Sequence, residues 1–230
     1  MDLFHRGQEP LDRELTWIKP FDNRMDEILR LKDKAETAPE QMKKVFLSAW
    51  GELASEVKQH QKTAGSILES KLPLHVYYNI VIKTESGGAP IDFLLISDSL
   101  VVVLLHRGKE HIEWDRYDTR FAKTPDAKGV YAAENASAIL AEQLLFGKVI
   151  TKRDAFRVVP VLIDDEAEKA EDANHPTGSS PLFPGMHICT HVHPEDLTSW
   201  LLDNCEEDIA PFFNSKRIGR IREILDEITE

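Results

Sequence analysis

The fold class follows from the stretch IDFLLISDSLVVVLLH at residues 91–106. It consists of two almost uninterrupted apolar runs, separated by the turn residues Asp98 and Ser99. Short apolar runs that are rich in Val, Ile and Leu and bounded by turn residues predict strands covered on both faces. The preceding segment LHVYYNIVIK (74–83) predicts another strand, and ESGGAP (85–90) between them predicts a loop. This part of the chain therefore predicts three consecutive strands of one sheet.

Helices are predicted on both sides of these strands, because apolar residues recur there at helical spacing. The predicted helices span 21–35, 39–70, 134–147, 193–204 and 216–228, and Gly147 is predicted to be the C-terminal cap of the third. Further strands are predicted over 111–117, 155–163 and 185–192, and a loop is predicted over 124–129. The mixture predicts an α/β fold, with a central mixed β-sheet flanked by helices. We expect residues 1–72 to form a helical N-terminal extension that packs on the core. Residues 73–230 are expected to form the mixed-sheet core with its C-terminal helices.

The composition is that of a folded protein without a membrane span. Of the 230 residues, 42% are hydrophobic and 30% are charged, which excludes a mostly disordered chain. The longest apolar run, 100–105, is far shorter than the ~20 residues of a membrane-spanning helix, and the N-terminal segment has no apolar signal-peptide core. The two cysteines, Cys189 and Cys205, form no disulfide framework and fit a reducing compartment. We therefore expect a cytoplasmic protein.

The net charge of −12 is concentrated in one part of the chain. Residues 1–163 hold 23 Lys and Arg against 24 Asp and Glu, whereas residues 164–230 hold 5 against 16. Within the first part, segment 101–163 is slightly basic, with 10 against 8. Strong acidity disfavours non-specific binding of nucleic acid, but this argument applies only to the C-terminal third. That third is either a solvated acidic surface or a surface for a basic partner.

A longer stretch around the two apolar runs carries a family resemblance. The segment APIDFLLISDSLVVVLLHRG (89–108) resembles the central block of nuclease-related (NERD) domains, a branch of the PD-(D/E)xK nuclease superfamily. Gly51 and Glu52 resemble the Gly-Glu pair of the family's preceding helix, the helix around Asn135 resembles its Asn-led helix, and VVPVLI (158–163) resembles its next strand. The resemblance covers roughly residues 50–200. It implies a restriction-endonuclease-like core and metal-dependent cleavage of phosphodiester bonds.

The resemblance also implies roles for single residues. It assigns Asp92 to the first acid of the family motif; counted without a gap, the second acid falls on Leu105 and the lysine on Arg107. The family needs carboxylates because Mg²⁺ prefers oxygen ligands and stabilises negative charge at phosphate. Leu105 cannot bind a metal ion, and Arg107 cannot act as a base at neutral pH. The site is therefore predicted to be eroded, with Asp92, Glu52 and Arg107 as candidate catalytic residues.

Nearby carboxylates also allow a rearranged site. Glu110 and Glu113 follow the second apolar run closely in sequence, and His106 ends that run. Glu52 on the predicted 39–70 helix offers one more carboxylate. We take Asp92, Glu110 and Glu113 as the candidate metal ligands, for Mg²⁺ if the protein is catalytically active; without catalysis no cofactor is expected.

A second set of metal-binding side chains occurs near the C-terminus. His187, Cys189, His191 and His193 are spaced by two, so on a strand they would share one face. Histidine and cysteine are zinc ligands. However, residues two apart on a strand lie about 7 Å from each other, so the four cannot close around one ion without further ligands. A half-buried strand with a polar face explains the pattern more simply.

Three functions are consistent with these observations. The first is a nuclease-related protein with an eroded active site that acts as a binding or accessory module. The second is a Mg²⁺- or Mn²⁺-dependent nuclease with a rearranged carboxylate site. The third is a structural subunit of a larger complex, indicated by the helical extension and the acidic C-terminal third. The expected partner is another protein or a second copy of the chain; nucleic acid is disfavoured at the acidic third, and no membrane is expected.

Overall fold

One mixed sheet organises the protein. The computed structural model of the chain describes residues 14–84, 87–106, 125–165, 185–205 and 212–229. The sheet holds its strands in sequence order: β1 (Thr16–Lys19), β2 (His75–Thr84), β3 (Gly87–Ile96), β4 (Val101–His106), β5 (Val158–Ile163) and β6 (Thr190–Val192). Strands β2, β3 and β4 are antiparallel neighbours, whereas β1 is parallel to β2, and β4, β5 and β6 are parallel to one another. The predicted mixed α/β architecture is confirmed.

Helices cover both faces of this sheet. They are α1 (Met25–Thr37), α2 (Glu40–Ser70), α3 (Pro125–Phe146), α4 (Leu197–Cys205) and α5 (Ser215–Ile228). One core cluster joins the sheet to α2 and α4, on what we call the α2 face; the other joins it to α3 and α5, on the α3 face. Among the described residues, no helix is long and apolar enough to span a membrane.

Several predicted boundaries are wrong. The first 72 residues are not purely helical, because Trp17 pairs with Val76 and adds β1 to the sheet edge. Helix α3 begins at Pro125, a residue suited to the first helical turn, where a loop was predicted. The predicted 185–192 strand is ordered as β6 only over its last three residues, and the 85–90 loop already belongs to β3 from Gly87. The strand predicted over 111–117 lies outside the described residues.

Strands β2 and β3 both change face halfway along their length. Tyr78 packs on the α2 face but Ile80 packs on the α3 face, although residues two apart on a regular strand share a face. The same change separates Phe93 from Ile91, and these residues pair with Tyr78 and Ile80 respectively. Asn79, between the two pairs, has a left-handed backbone with φ of 49°. This kink marks the position of the candidate site.

Candidate metal centre

Three side chains from three elements converge on the α2 face. Asp92 of β3 lies between His106, the last residue of β4, and His60 of α2. Its Oδ2 is 3.0 Å from His106 Nδ1 and 3.7 Å from His60 Nε2. Among the described residues, this is the one group of three or more His, Cys, Asp or Glu whose ligand atoms all lie within 4.8 Å of one another.

The end of a strand ladder creates the position of Asp92. Pairing between β3 and β4 stops at Phe93 and Leu104, whereas β4 continues beside β5 until His106 pairs with Ile163. The backbone N–H of His106 donates to Asp92 Oδ2 at 2.7 Å. A side-chain carboxylate therefore takes a hydrogen bond that a ladder carbonyl would otherwise accept, and it holds the two strand ends together.

The ring nitrogens that point away from Asp92 also have partners. His60 Nδ1 lies 3.1 Å from the Tyr78 hydroxyl, and His106 Nε2 lies 2.8 Å from Thr63 Oγ1. Both hydroxyl-bearing residues are 2% exposed. His106 thus has a hydrogen-bond partner at both nitrogens, whereas His60 has one at Nδ1 and the Asp92 carboxylate 3.7 Å from Nε2.

Aromatic packing fixes the planes of the two imidazoles. Their ring centroids are 4.4 Å apart, and Phe93, which is fully buried, contacts both rings. The His60 and His106 side chains are 4% and 7% exposed, whereas that of Asp92 is 25% exposed. Solvent therefore reaches the centre from the side of the carboxylate.

The electrostatic environment keeps Asp92 ionised. Burial raises the pKa of its carboxyl group, but the hydrogen bonds from His106 and the electrostatic attraction of His106 and His60 outweigh burial, and the pKa is lowered below its usual value. Burial, reinforced by the nearby carboxylates of Glu56 and Asp92, raises the pKa of Tyr78 to about 12. The centre therefore combines an anionic oxygen with a phenol that stays protonated at neutral pH.

The structure brings together only part of the predicted site. Asp92 lies at its centre, whereas Glu52 is exposed on α2, two helical turns from His60, where it accepts a hydrogen bond from Ser48. Leu105 is buried in the core of the α3 face, on the opposite side of the sheet from the centre. The other three predicted site residues lie outside the described residues: Arg107, Glu110 and Glu113.

The second predicted set of metal ligands does not converge. Cys189 is buried on the α3 face, where its backbone N–H donates to Glu134 and burial raises the pKa of its thiol. His191 is exposed on β6, and its Nδ1 lies 3.4 Å from the buried Asp164. His187 and His193 lie outside β6, since the chain is extended there only over three residues. The simpler explanation, a half-buried strand with a polar face, is also wrong, since only His191 of the four lies on β6 and Cys189 is buried.

Sequence reasoning missed His60, Thr63 and Tyr78. His60 lies in the buried stripe of α2 that also contains Leu53 and Val57, at spacings of three and four residues. A histidine at such a position is a detectable signal, because buried polar side chains need partners. The partners themselves lie on β2, β3 and β4, so no local pattern could have identified them.

Two kinds of chemistry fit this arrangement of side chains. The order Thr63, His106 and Asp92 is that of a hydroxyl nucleophile, its base and an orienting acid. Thr63 is buried within the core, which argues against a role for its hydroxyl as the nucleophile. Two imidazoles and one carboxylate are instead the donor set of a metal centre. Compared with known proteins, the chain significantly matches no family model, no curated protein and no solved structure.

Proposed function

We propose that the protein is a metal-dependent hydrolase of phosphodiester bonds, built on a restriction-endonuclease-like core with a rearranged site. The observation that carries this proposal is the convergence of His60 and His106 on Asp92, the residue that the family resemblance assigns to the metal-binding acid. The rearrangement replaces the missing second carboxylate by two imidazoles.

The residues of the chain have distinct parts in this proposal. Asp92 supplies the anionic ligand and is the most accessible of the three side chains. His60 and His106 supply neutral nitrogen ligands from a helix and a strand, held in place by the core around Phe93. A bound divalent ion would supply charge stabilisation at phosphate and an activated water. Because α2, β3 and β4 are anchored in the same core, the site needs little rearrangement to bind an ion.

The substrate class rests on the resemblance and on the distribution of charge. The region 101–163 has 10 basic against 8 acidic residues, so it does not repel a polyanion. The acidic surplus lies in residues 164–230. A nucleic-acid substrate would therefore approach where the β3–β4 pairing ends, beside Asp92 and His106, and avoid the acidic third.

Cleavage assays with matched variants test this proposal. Purified protein is incubated with single- and double-stranded DNA and RNA in the presence of Mg²⁺, Mn²⁺, Zn²⁺ or Co²⁺. Asp92→Asn should abolish metal-dependent cleavage, whereas Asp203→Asn, at an exposed position of α4, should leave it unchanged. Cleavage that persists in Asp92→Asn, or that is absent with all four ions, contradicts the proposal.

A second candidate is a binding or accessory module without catalysis. It is favoured by Leu105, an apolar core residue where the family motif has its second acid, and by the two hydrogen bonds from His106 that already engage Asp92 Oδ2. This candidate predicts nucleic-acid or protein binding that is equal in wild type and Asp92→Asn. Filter binding, measured beside the cleavage assay, separates the two candidates. If Asp92 belongs to a catalytic centre, Asp92→Asn lowers the cleavage rate. If the protein is a binding module, no cleavage is seen and the two proteins bind equally.

A further inference from the structure

We infer that the centre takes a first-row transition-metal ion of the Zn²⁺ or Co²⁺ kind and not Mg²⁺, with Thr63 and Tyr78 as the positioning residues of its histidines. This inference rests on the proposed function in one respect: the same three side chains bind the ion. It differs from the Mg²⁺ chemistry that the family resemblance implies.

The spacing of the ligand atoms suits a small ion with short bonds. Bonds of about 2.0–2.1 Å to nitrogen and oxygen in a tetrahedral site place neighbouring ligand atoms roughly 3.4 Å apart. The two distances from Asp92 Oδ2, 3.0 Å to His106 and 3.7 Å to His60, lie on either side of that value. Small side-chain movements would therefore be enough to surround an ion.

The donor atoms exclude Mg²⁺ as the preferred ion. Mg²⁺ demands oxygen ligands and keeps several waters in an octahedral shell, whereas imidazole nitrogen suits Zn²⁺ and its neighbours. Two of the three donors are imidazole nitrogens, from His60 and His106, and among the described residues no second carboxylate joins Asp92. With three ligands among the described residues, a tetrahedral ion would keep one position for water, as in catalytic and not in structural zinc sites.

The hydroxyl groups of Thr63 and Tyr78 lie against the ring nitrogens that face away from Asp92. A metal-bound imidazole loses the proton from the ligating nitrogen and carries one on the other nitrogen. With an ion bound, His60 would donate from Nδ1 to Tyr78 and His106 from Nε2 to Thr63, across the contacts of 3.1 and 2.8 Å. Each of the two hydroxyl oxygens can accept the bond from its histidine. Such outer partners orient metal-binding histidines, and their loss typically weakens metal binding about 10–100-fold.

Cobalt titration of the whole chain tests the inference. Co²⁺ is added to metal-free wild type, Tyr78→Phe, Thr63→Val and Thr63→Ser, and its visible d–d absorption reports the number and geometry of the ligands. Wild type should bind one equivalent that Zn²⁺ displaces and millimolar Mg²⁺ does not. Tyr78→Phe and Thr63→Val should bind about 10–100-fold more weakly with altered spectra, and Thr63→Ser should restore the wild-type spectrum.

The matched control is Tyr77→Phe, since Tyr77 is as buried as its neighbour Tyr78 but packs on the α3 face. It should bind Co²⁺ like wild type. Competition by Mg²⁺ equal to that of Zn²⁺ overturns the assignment of the ion. Wild-type affinity and spectra in both hydroxyl variants overturn the positioning role, and Tyr78→Phe decides this alone if Thr63→Val does not fold. Absence of any ion binding by wild type instead contradicts the proposed function itself.

Discussion

Asp92 accepts two hydrogen bonds from His106, one from the backbone N–H at 2.7 Å and one from ring Nδ1 at 3.0 Å. The two residues lie where β3 and β4 stop pairing, so the carboxylate both closes the strand ends and orients the imidazole. A single side chain therefore serves the fold and the candidate metal centre.

These two roles can be separated by Asp92→Asn. The amide oxygen can still accept the backbone N–H of His106, so the free energy of unfolding should fall by only about 1–2 kcal/mol. The anionic ligand is lost, so the affinity for Co²⁺ or Zn²⁺ should fall by more than ~100-fold. That value is the largest loss expected when only a residue that positions a ligand is removed. Calorimetric titration measures this affinity, with Asp203→Asn as the unchanged control. Equal affinity in the Asp92 variant would show that the carboxylate is no ligand.

An acid placed at Leu105, where the resemblance to nuclease-related domains would put one, should not create a better site. Leu105 is 2% exposed on the α3 face, so the carboxylate of Leu105→Glu would be buried away from Asp92 and without a partner. We expect a loss of more than about 3 kcal/mol in the free energy of unfolding and no gain in metal affinity. Leu105→Met, of similar volume, should cost less than about 1.5 kcal/mol. Urea unfolding distinguishes these outcomes, and a stable Leu105→Glu variant would contradict the assigned face.

The kink at Asn79 should tolerate glycine and reject a β-branched residue. Its φ of 49° lies in the left-handed region, and its carbonyl accepts a hydrogen bond from Lys19 Nζ at 2.7 Å. Asn79→Gly should change the free energy of unfolding by at most about 0.5 kcal/mol, whereas Asn79→Val should cost about 2 kcal/mol or more.

Asn79→Val should also weaken metal binding, because the kink lies between the residue pairs that flank Asp92. Lys83→Val, at an exposed position of β2 without a left-handed backbone, is the control and should stay within about 0.5 kcal/mol of wild type. A harmless Asn79→Val variant would show that the strand can straighten without cost.

Gly147 should be required because a larger side chain does not fit at this position, and not because the backbone is left-handed there. A Cβ at this position would overlap Cδ1 of Ile224 on α5, whereas the left-handed backbone at the end of α3 belongs to Lys148, with φ of 56°. Gly147→Ala should therefore cost about 1–3 kcal/mol. Ile224→Val removes the obstructing methyl group, so the double variant should be more stable than the sum of the two single losses by about 1 kcal/mol.

The control for this cycle is Gly65→Ala. Gly65 is exposed within α2 and has open space around it, so alanine should stabilise the protein by about 0.5–1 kcal/mol. Thermal or urea unfolding of the four variants measures these differences. Additive losses at Gly147 and Ile224 would refute the proposed contact.

The pair Thr151 and Asp154 predicts a pH-dependent contribution to stability. The Thr151 hydroxyl and backbone N–H both donate to Asp154, at 2.6 and 2.9 Å, and the first of these bonds is the main cause of the lowered pKa of Asp154. A lowered carboxyl pKa stabilises the folded state above the unfolded value of about 3.9, and this stabilisation is lost as the pH falls through the folded pKa.

Thr151→Ala should consequently cost about 0.5–1 kcal/mol at pH 7, and this cost should shrink as the pH falls through the lowered pKa of Asp154. Urea unfolding of wild type and variant at several pH values measures the difference. A loss that is constant with pH would assign the effect to the methyl group of Thr151 instead.

Local sequence was sufficient for most elements of the fold. The apolar runs around Asp98 and Ser99 predicted β3, β4 and their turn, because a strand buried on both faces needs apolar residues at every position. The amphipathic patterns likewise predicted α2 and α5 to within one residue. Strand β1 was missed because its four residues carry little pattern of their own and become a strand by pairing with β2.

The candidate site was predictable only at one residue. Asp92 was identified because the short segment around it resembles the central block of nuclease-related domains, a local signal. Its partners were not, because His60 is 32 residues earlier in the chain and His106 ends a different strand. Counting along the sequence led instead to Leu105, one residue from His106, and adjacent strand residues point to opposite faces of a sheet.

The sequence by itself determined the α/β class, most of the element order and the presence of one acid in a buried strand, since these depend on patterns among neighbouring residues. The tertiary structure alone decided which side chains meet that acid. The kink at Asn79, the end of the β3–β4 ladder and the position of α2 over the sheet together set the direction of each side chain. The burial of a residue can be read from a short segment, but the neighbours that its side chain meets cannot. The centre of His60, Asp92 and His106 therefore exists only in the folded chain.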